Sequence, residues 1–397
     1  MNNSPIQRLT FSVLAILLST TFILVVAEIV LRVLEKKAIS ASLDFGDTIG
    51  GGLKEGGLLK SNLNNYVIDS VGKKVKWITN SGGFRNRNEF SKIKPKNTTR
   101  IMALGDSFMA GYRMGQEELL PYLWENCLNK NYGKYQVSVS MIGSPKTGLD
   151  YLLKYGLSYN PDLVVLGITL GNDIWQTSDL NFYNELIPES CLIQKSSLEK
   201  TLWAGNFFYS HLRLVELFHN QPRAIINSDT KYLKARLRPR RFDSIHGIGF
   251  FLKDLSTETE KIWSVFFNKL LKYQNLLKKK NIKFSLAIFS QRYQVQPNDW
   301  ELAVYEYGLK KSCFDLMLPN KKIKTFCGAN DISCIDPTLE MKVDYINNKR
   351  SMFGPKGDMH WNKEGNFQYF AHSKKWLVNT LKRETELSTV TAEKIFH

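Results

Sequence analysis

Short apolar runs recur along this chain, and the segments between them carry apolar residues at every third or fourth position. Runs of roughly four to eight apolar residues are typical of buried strands, whereas the wider spacing is typical of helices packed on one side. Strands are predicted at residues 100–104, 136–142, 162–169, 283–289 and 331–335. This alternation of strands and helices indicates an α/β fold with a parallel sheet.

Besides a helix-like run at residues 211–218, four segments are predicted to be helical. They are residues 116–128, residues 151–157, residues 257–277, and a last helix that begins after Asn362. The third segment carries apolar side chains at helical spacing, and Asn362 is a suitable N-cap for the last helix. We expect these helices to pack on the sheet.

The amino-terminal region contains a long apolar segment, Leu9 to Leu31, in which Glu28 is the ionisable residue. As a helix, its 23 residues would extend about 34 Å, which is enough to cross a bilayer. A cleaved signal peptide is the alternative, with Val25-Val26-Ala27 as a cleavage site, but such apolar cores usually span about 7–15 residues. We therefore predict a transmembrane anchor.

Composition divides the chain into successive parts. Residues 1–37 hold the tail and anchor, and residues 38–99 form a glycine-rich linker and lead-in with an edge hairpin. Residues 100–383 form the α/β domain, and residues 384–397 form a polar tail. An insertion at about residues 176–257 interrupts the strand and helix pattern after the third strand, so it is expected near the carboxyl edge of the sheet.

The formal net charge is +17, and the densest basic run lies in the insertion. The run consists of Lys231, Lys234, Arg236, Arg238, Arg240 and Arg241. It is suited to anionic lipid headgroups or an acidic glycan, and a solvated insertion surface is an equally good interpretation. Nucleic acid is a poor match for a chain with a predicted membrane anchor.

Five cysteines are present, and no two of them have Cys-x-x-Cys spacing. The absence of that spacing argues against a metal site and against thioredoxin-like redox chemistry. Cys127 is expected to be a small core residue. Cys327 and Cys334 are candidates for a short disulfide if the domain lies outside the cytoplasm.

Three polar motifs carry the candidate chemistry. Gly105-Asp106-Ser107 follows the first strand, Gly171-Asn172-Asp173 follows the third, and Asp358-Met359-His360-Trp361 comes much later. Ligands of parallel α/β sheets bind at the carboxyl ends of the strands, where Ser107 is expected. A serine hydroxyl attacks only when a base takes its proton, and a histidine oriented by a carboxylate suits that role.

Each motif also has a simpler interpretation. Gly-Asp-Ser and Gly-Asn-Asp are common turn sequences, and a single histidine is often structural. Asp106 and Asp173 are expected to bond the local backbone rather than to carry protons. The order of the motifs and their positions beside strands favour a joint catalytic interpretation.

In this order the motifs resemble those of SGNH (GDSL-type) hydrolases over roughly residues 80–383. The resemblance implies a flavodoxin-like three-layer fold in which Ser107 attacks an ester, His360 is the base and Asp358 orients it. It also implies an oxyanion hole formed by the backbone N–H groups of Ser107 and Gly143 and the side-chain amide of Asn172. The resemblance implies no cofactor and no metal.

Two positions depart from the family pattern. Met141-Ile142-Gly143 has the glycine of the second block without its usual asparagine. Asp358 stands two residues before His360, where a spacing of three is usual. The Asp-x-His-Trp spacing resembles SGNH-like O-acetyltransferases of polysaccharide pathways.

The resemblance and the apolar segment predict a membrane-anchored serine esterase. It would remove or transfer an acyl group, most simply acetyl, on a cell-envelope glycan or lipid. A transferase outside the cytoplasm would also need a partner membrane protein that supplies the acyl donor. The alternative is a catalytically silent protein of the same fold that binds a glycan or an assembly partner.

Charge and resemblance predict opposite orientations for the anchor. Arg8 precedes the span, whereas Arg32, Lys36 and Lys37 follow it, and this count places the carboxyl-terminal side in the cytoplasm. Anchored proteins of the family that this chain resembles hold the catalytic domain outside the cytoplasm. We follow the resemblance and expect an extracytoplasmic, periplasmic catalytic domain.

Overall fold

The computed structural model describes residues 11–30, 59–69, 73–142, 144–178, 187–193, 247–354 and 358–382. The chain divides into two units, one of Met1–Asp44 and Gln194–Arg241 and the other of Phe45–Ile193 and Phe242–His397. In the first unit the described part is helix α1, Phe11–Val30, which is long and apolar enough to cross a membrane. A signal sequence near the amino terminus can pass the same test of length and composition. The basic run of the insertion and the helix-like run predicted at residues 211–218 lie outside the described residues.

The second unit contains a parallel sheet whose strands correspond to the predicted apolar runs. The strands of this unit are β1 (Asn64–Ile68), β2 (Lys74–Ile78), β3 (Thr98–Gly105), β4 (Lys134–Met141), β5 (Leu163–Thr169), β6 (Lys283–Phe289) and β7 (Ser333–Ile335). Within the described ranges, β3 to β7 form one parallel sheet in the order β4-β3-β5-β6-β7. This is the order of a flavodoxin-like doubly wound sheet. The predicted fold class is confirmed, and the winding reverses between β3 and β5.

Helices cover both faces of the sheet. They are α2 (Ser107–Ala110), α3 (Leu120–Asn131), α4 (Pro145–Lys154), α5 (Asp173–Gln176), α6 (Thr257–Lys278), α7 (Arg292–Val295), α8 (Pro297–Tyr307), α9 (Leu318–Ala329), α10 (Thr338–Asn348) and α11 (Lys363–Lys382). Side chains of α3, α10 and α11 form one core with β3, β4 and β5. Those of α4, α6 and α9 form the core on the opposite face. The protein therefore has three layers.

The bounds of two predicted helices were wrong. The segment expected at residues 116–128 is a 3₁₀ turn at Gln116–Glu118 followed by α3. The helix expected at residues 151–157 is α4, which begins six residues earlier because Ser144 caps it and a proline occupies its first position. The other two predictions are confirmed by α6 and by α11, where Asn362 Oδ1 accepts the Gly365 N–H at 3.1 Å.

The lead-in before β3 packs against the edge strand β4. Strands β1 and β2 form the predicted antiparallel hairpin. After it, the Arg85 N–H donates to the Val139 carbonyl at 2.8 Å, and the Asn86 side chain bonds both Val137 and Val139. The buried Arg85 guanidinium lies 3.6 Å from the centre of the Trp77 ring. The lead-in thus occupies hydrogen-bonding groups that β4 would otherwise expose at the edge.

Two disulfides are present in the part of the chain that the structure describes. Cys327 pairs with Cys334, as the sequence suggested, and Cys191 pairs with Cys313, which the sequence did not suggest. The second pair is separated by 122 residues. Cys127 is a free thiol and is only half-buried, so its assignment as a core residue holds in part.

Replacing Cys191 and Cys313 with serine is expected to lower the free energy of unfolding by about 2–4 kcal/mol. The bridge closes a loop of 122 residues, and breaking it restores conformational freedom to the unfolded chain. Chemical denaturation under oxidising conditions measures the change. The matched control is Cys127→Ser, which removes a free thiol and should change stability by less than about 1 kcal/mol. Equal effects of the two changes would contradict a stabilising bridge.

Candidate active site

Ser107 lies at the point where β3 gives way to a short helix. It is the first residue of α2, and Asp106 caps that helix by accepting the Phe108 N–H at 2.9 Å. The turn is tight: a Cβ added at Gly105 would lie 2.5 Å from the Cβ of Met109. A side chain at position 105 is therefore excluded by packing. The chain turns sharply here and leaves the hydroxyl at the carboxyl edge of the sheet.

His360 contacts Ser107 directly. Its Nε2 lies 2.8 Å from Ser107 Oγ, and its Nδ1 lies 2.8 Å from Asp358 Oδ1. The His360 backbone N–H donates to the same Asp358 oxygen at 3.0 Å. The structure therefore brings together the three residues predicted as nucleophile, base and orienting carboxylate. The spacing of two between Asp358 and His360 is compatible with this contact.

The ionisation of Asp358 determines which nitrogen of His360 carries the proton. Burial raises the pKa of Asp358, but the hydrogen bond and charge of His360, with the nearby charge of Arg113, outweigh it and lower the pKa overall. An ionised carboxylate only accepts hydrogen bonds, so the proton of a neutral His360 lies on Nδ1. Nε2 is then an acceptor that faces the Ser107 hydroxyl.

Aromatic rings hold the imidazole of His360 in place. Tyr112 stacks on it with ring centres 4.1 Å apart, and Phe108 lies 5.4 Å away. The adjacent Trp361 is buried and contacts Phe108 edge to face. Sequence reasoning missed Phe108 and Tyr112 as site residues. Phe108 directly follows the serine, and that position is the signal that could have suggested it, whereas Tyr112 carries no such local signal.

A buried arginine fixes the backbone of the loop that carries His360. One Arg292 nitrogen, Nη1, donates to the carbonyl oxygens of Asp358 at 2.7 Å and Gly354 at 3.1 Å. Its Nε donates to Asp299 at 2.9 Å, and both charged side chains are almost fully buried. The Gly354 N–H in turn donates to the His360 carbonyl at 2.9 Å. Arg292 follows β6 without any recognisable motif, so the sequence did not identify it.

Two buried carboxylates lie beneath the nucleophile. Asp106 accepts the Thr169 hydroxyl at 3.0 Å, and Asp173 accepts the Thr169 N–H at 2.7 Å. Burial raises the pKa of both, and the charge of Asp106 raises that of Asp173 further. Asp106 also accepts the Phe108 N–H, so both carboxylates bond local backbone groups as expected.

The predicted oxyanion hole is described in part. The Ser107 N–H is at the first position of α2, where it has no acceptor within the helix. The Asn172 amide donates to Asp106 at 3.2 Å, which orients the amide and leaves its second hydrogen available. Gly143 lies outside the described residues. Asn172 and Gly143 as oxyanion donors stay predictions.

The described residues contain no group of three or more His, Cys, Asp or Glu side chains that could hold a metal ion. The site offers instead a hydroxyl, an imidazole and a carboxylate in hydrogen-bonded sequence. This arrangement activates a serine for attack on a carbonyl carbon.

Comparison with known proteins gives weak similarities. No family model matches the chain, and no curated protein matches it. An acetyl xylan esterase, AlAXEase, has a solved structure that is 15% identical with a TM-score of 0.37, covering 70% of this chain and 99% of its own. A lipase/acylhydrolase from Enterococcus faecalis is 13% identical with a TM-score of 0.38, covering 72% and 96%.

A GDSL-like lipase from Bacteroides thetaiotaomicron is 11% identical with a TM-score of 0.31, covering 70% of this chain and 86% of its own. Sequence identities and TM-scores of this size assign no activity to this chain. The strand order and the geometry of the site are the basis for its function.

Proposed function

We propose that this protein is a serine esterase of SGNH type that acts through an acyl-serine intermediate. The observation that carries the proposal is the hydrogen-bonded series Ser107, His360 and Asp358. It lies at the carboxyl edge of the sheet, beside the reversal of winding, where ligands of such folds bind.

The reaction follows from the positions of the three side chains. His360 Nε2 takes the hydroxyl proton while Ser107 Oγ bonds to the ester carbonyl carbon, and the C=O electron pair moves onto the oxygen. The Ser107 N–H, with Gly143 and Asn172 as the predicted further donors, would bind that oxyanion. His360 then returns the proton to the leaving alcohol oxygen as the C–O bond breaks. Water or a sugar hydroxyl attacks the acyl-serine in the second half.

We further propose that the substrate is an acylated, most simply acetylated, glycan or lipid of the cell envelope. Support comes from the apolar helix α1 and from the disulfides, which are typical of oxidising compartments outside the cytoplasm. On this proposal the protein is anchored in the membrane with its catalytic unit on the extracytoplasmic side. If the acceptor is a sugar hydroxyl, a membrane partner supplies the acyl donor.

A fluorophosphonate probe tests the proposed nucleophile. The full-length chain in detergent micelles is expected to be labelled at Ser107, because the probe reacts with a hydroxyl whose proton a base can take. Ser107→Ala and His360→Ala should lose labelling. Ser264→Ala is the matched control, since this exposed serine lies on α6. A folded wild-type chain that resists the probe and retains a glycan would favour the silent binding protein instead.

A further inference from the structure

A groove lined by lysines lies next to chain segments that flank the proposed active site in the sequence. It encloses about 350 Å³ between the β1–β2 hairpin, the turn at residues 115–118 and the start of α11. Lys73, Lys74 and Lys76 line it from the hairpin side, and Lys363 lines it from α11. All four lysines are exposed. The proposed catalytic mechanism uses none of them.

Two of the three walls of the groove begin close to the catalytic histidine along the chain. Gly115 comes three residues after Tyr112, which stacks on His360, and Lys363 comes three residues after His360 itself. Successive Cα atoms are about 3.8 Å apart, so each of these walls starts within about 11 Å of its site residue. A polymeric substrate is long enough to cover a separation of this size while its ester lies at Ser107.

The walls of the groove are fixed by buried contacts. The Arg85 guanidinium packs on Trp77 of β2 and donates to the Met114 carbonyl at 2.7 Å and to Gln116 at 2.8 Å. Asn366 of α11 accepts the Leu120 N–H at 3.1 Å. These contacts join the hairpin, the turn and α11. The lysines are thus carried on backbone whose shape is set before any ligand binds.

The charge of the groove is positive. Its acidic side chains are Glu117 and Glu118, and each already has a cationic partner: Arg87 for Glu117 and Lys363 for Glu118. The lysines of the hairpin add positive charge that these carboxylates do not balance. Summed charge of this kind attracts an anionic ligand.

We propose that this groove binds the acidic part of a polyanionic glycan whose acylated unit reaches Ser107. The inference rests on the proposed esterase function and names its substrate class. A concave site suits a polymer chain better than a flat membrane surface. The half-exposed Phe367 ring provides an apolar wall against which a sugar ring packs.

Binding of a defined polyanion tests the inference. Fluorescein-labelled oligogalacturonate is titrated against the full-length chain in nonionic detergent, beside the same oligomer neutralised by methyl esterification. We expect the acidic oligomer to bind and the neutral one not to bind, and the affinity to fall as salt rises. Lys74→Glu/Lys76→Glu should weaken binding by about tenfold or more. Lys74→Ala/Lys76→Ala should have a smaller effect in the same direction.

Lys279→Glu/Lys280→Glu is the matched control. It makes the same change in net charge at exposed positions just after α6 and should alter the affinity less than about twofold. Equal weakening by the two double variants would show a non-specific charge effect and overturn the groove. A second result would also overturn glycan binding at the groove. In that result a fluorescent short-chain phosphatidylglycerol binds, and its binding depends on Lys74 and Lys76 more strongly than glycan binding does.

Probe labelling separates this inference from the proposed function. The lysine variants should be labelled at Ser107 as fast as the wild type, because neither lysine contacts the catalytic residues. Labelling without oligogalacturonate binding would overturn glycan binding at the groove and leave the proposed esterase unaffected. Failure of the wild type to be labelled would overturn the esterase, whatever the groove binds.

Discussion

Asp358→Asn is expected to reduce the turnover number for an ester substrate by about 10⁴-fold with little change in KM. In the wild type the carboxylate accepts the Nδ1–H of His360 at 2.8 Å. An asparagine amide facing Nδ1 favours the opposite tautomer, in which Nε2 carries the proton. That nitrogen then cannot accept the Ser107 proton. The loss therefore falls on the chemical step rather than on binding.

Steady-state hydrolysis of p-nitrophenyl acetate measures this change. The chain offers a matched control in Asp344→Asn, since Asp344 bonds His372 Nε2 at 2.6 Å in a similar pair between α10 and α11. That variant should keep turnover within about twofold, as surface changes away from the site usually do. A loss below tenfold in Asp358→Asn would show that another group orients His360.

The pH dependence of the wild type provides a second check on Asp358. Because the pKa of Asp358 is lowered, the ionised carboxylate stabilises the folded state. This contribution to stability is fully present above the ordinary aspartate pKa of about 3.9, and it is lost only as pH falls through the lower folded pKa. Asp358 should therefore remain ionised across the near-neutral range. An acid loss of activity well above pH 4 must come from another group.

Arg292→Met is expected to lower the free energy of unfolding by about 3–5 kcal/mol. The substitution leaves the buried Asp299 carboxylate without its guanidinium partner, in an interior where a charge is poorly solvated. It also removes the donor to the carbonyls of Asp358 and Gly354. Turnover should fall as well, because the loop that positions His360 loses its anchor.

A second variant separates the two effects of Arg292. Arg292→Met/Asp299→Asn removes the buried charge and should recover part of the stability, measured by chemical denaturation. The carbonyls of the His360 loop still lack their donor, so turnover and the rate of Ser107 labelling should stay low while KM changes little. Recovery of turnover together with stability would mean that Arg292 has no positioning role.

Much of the fold was readable from local sequence. The apolar run before Gly105 and the run before Gly171 predict buried strands, and both are strands of the parallel sheet. A strand of a sheet covered on both faces needs apolar residues at successive positions, so the pattern that predicts the strand lies within its own segment. Helix α4 was misplaced because its start depends on Ser144 and Pro145, which precede its apolar positions.

The candidate site was only partly readable from sequence. Ser107 and Asn172 each follow a strand, and Asp358 lies two residues from His360, so these groups can be found from their immediate neighbours. Arg292 and Tyr112 carry no such local mark. Each acts through contacts with the His360 loop that only a folded chain can make.

The sequence by itself determined which segments become strands, which residues can react and where an apolar helix lies. These properties depend on residue type and short-range spacing, which the chain carries before it folds. The tertiary structure decided the contact between Ser107 and His360 across 253 positions, the bridge from Cys191 to Cys313, and the burial of Arg292 beneath the catalytic loop. Such pairings arise when distant segments share one core, and nothing in either segment alone specifies its partner.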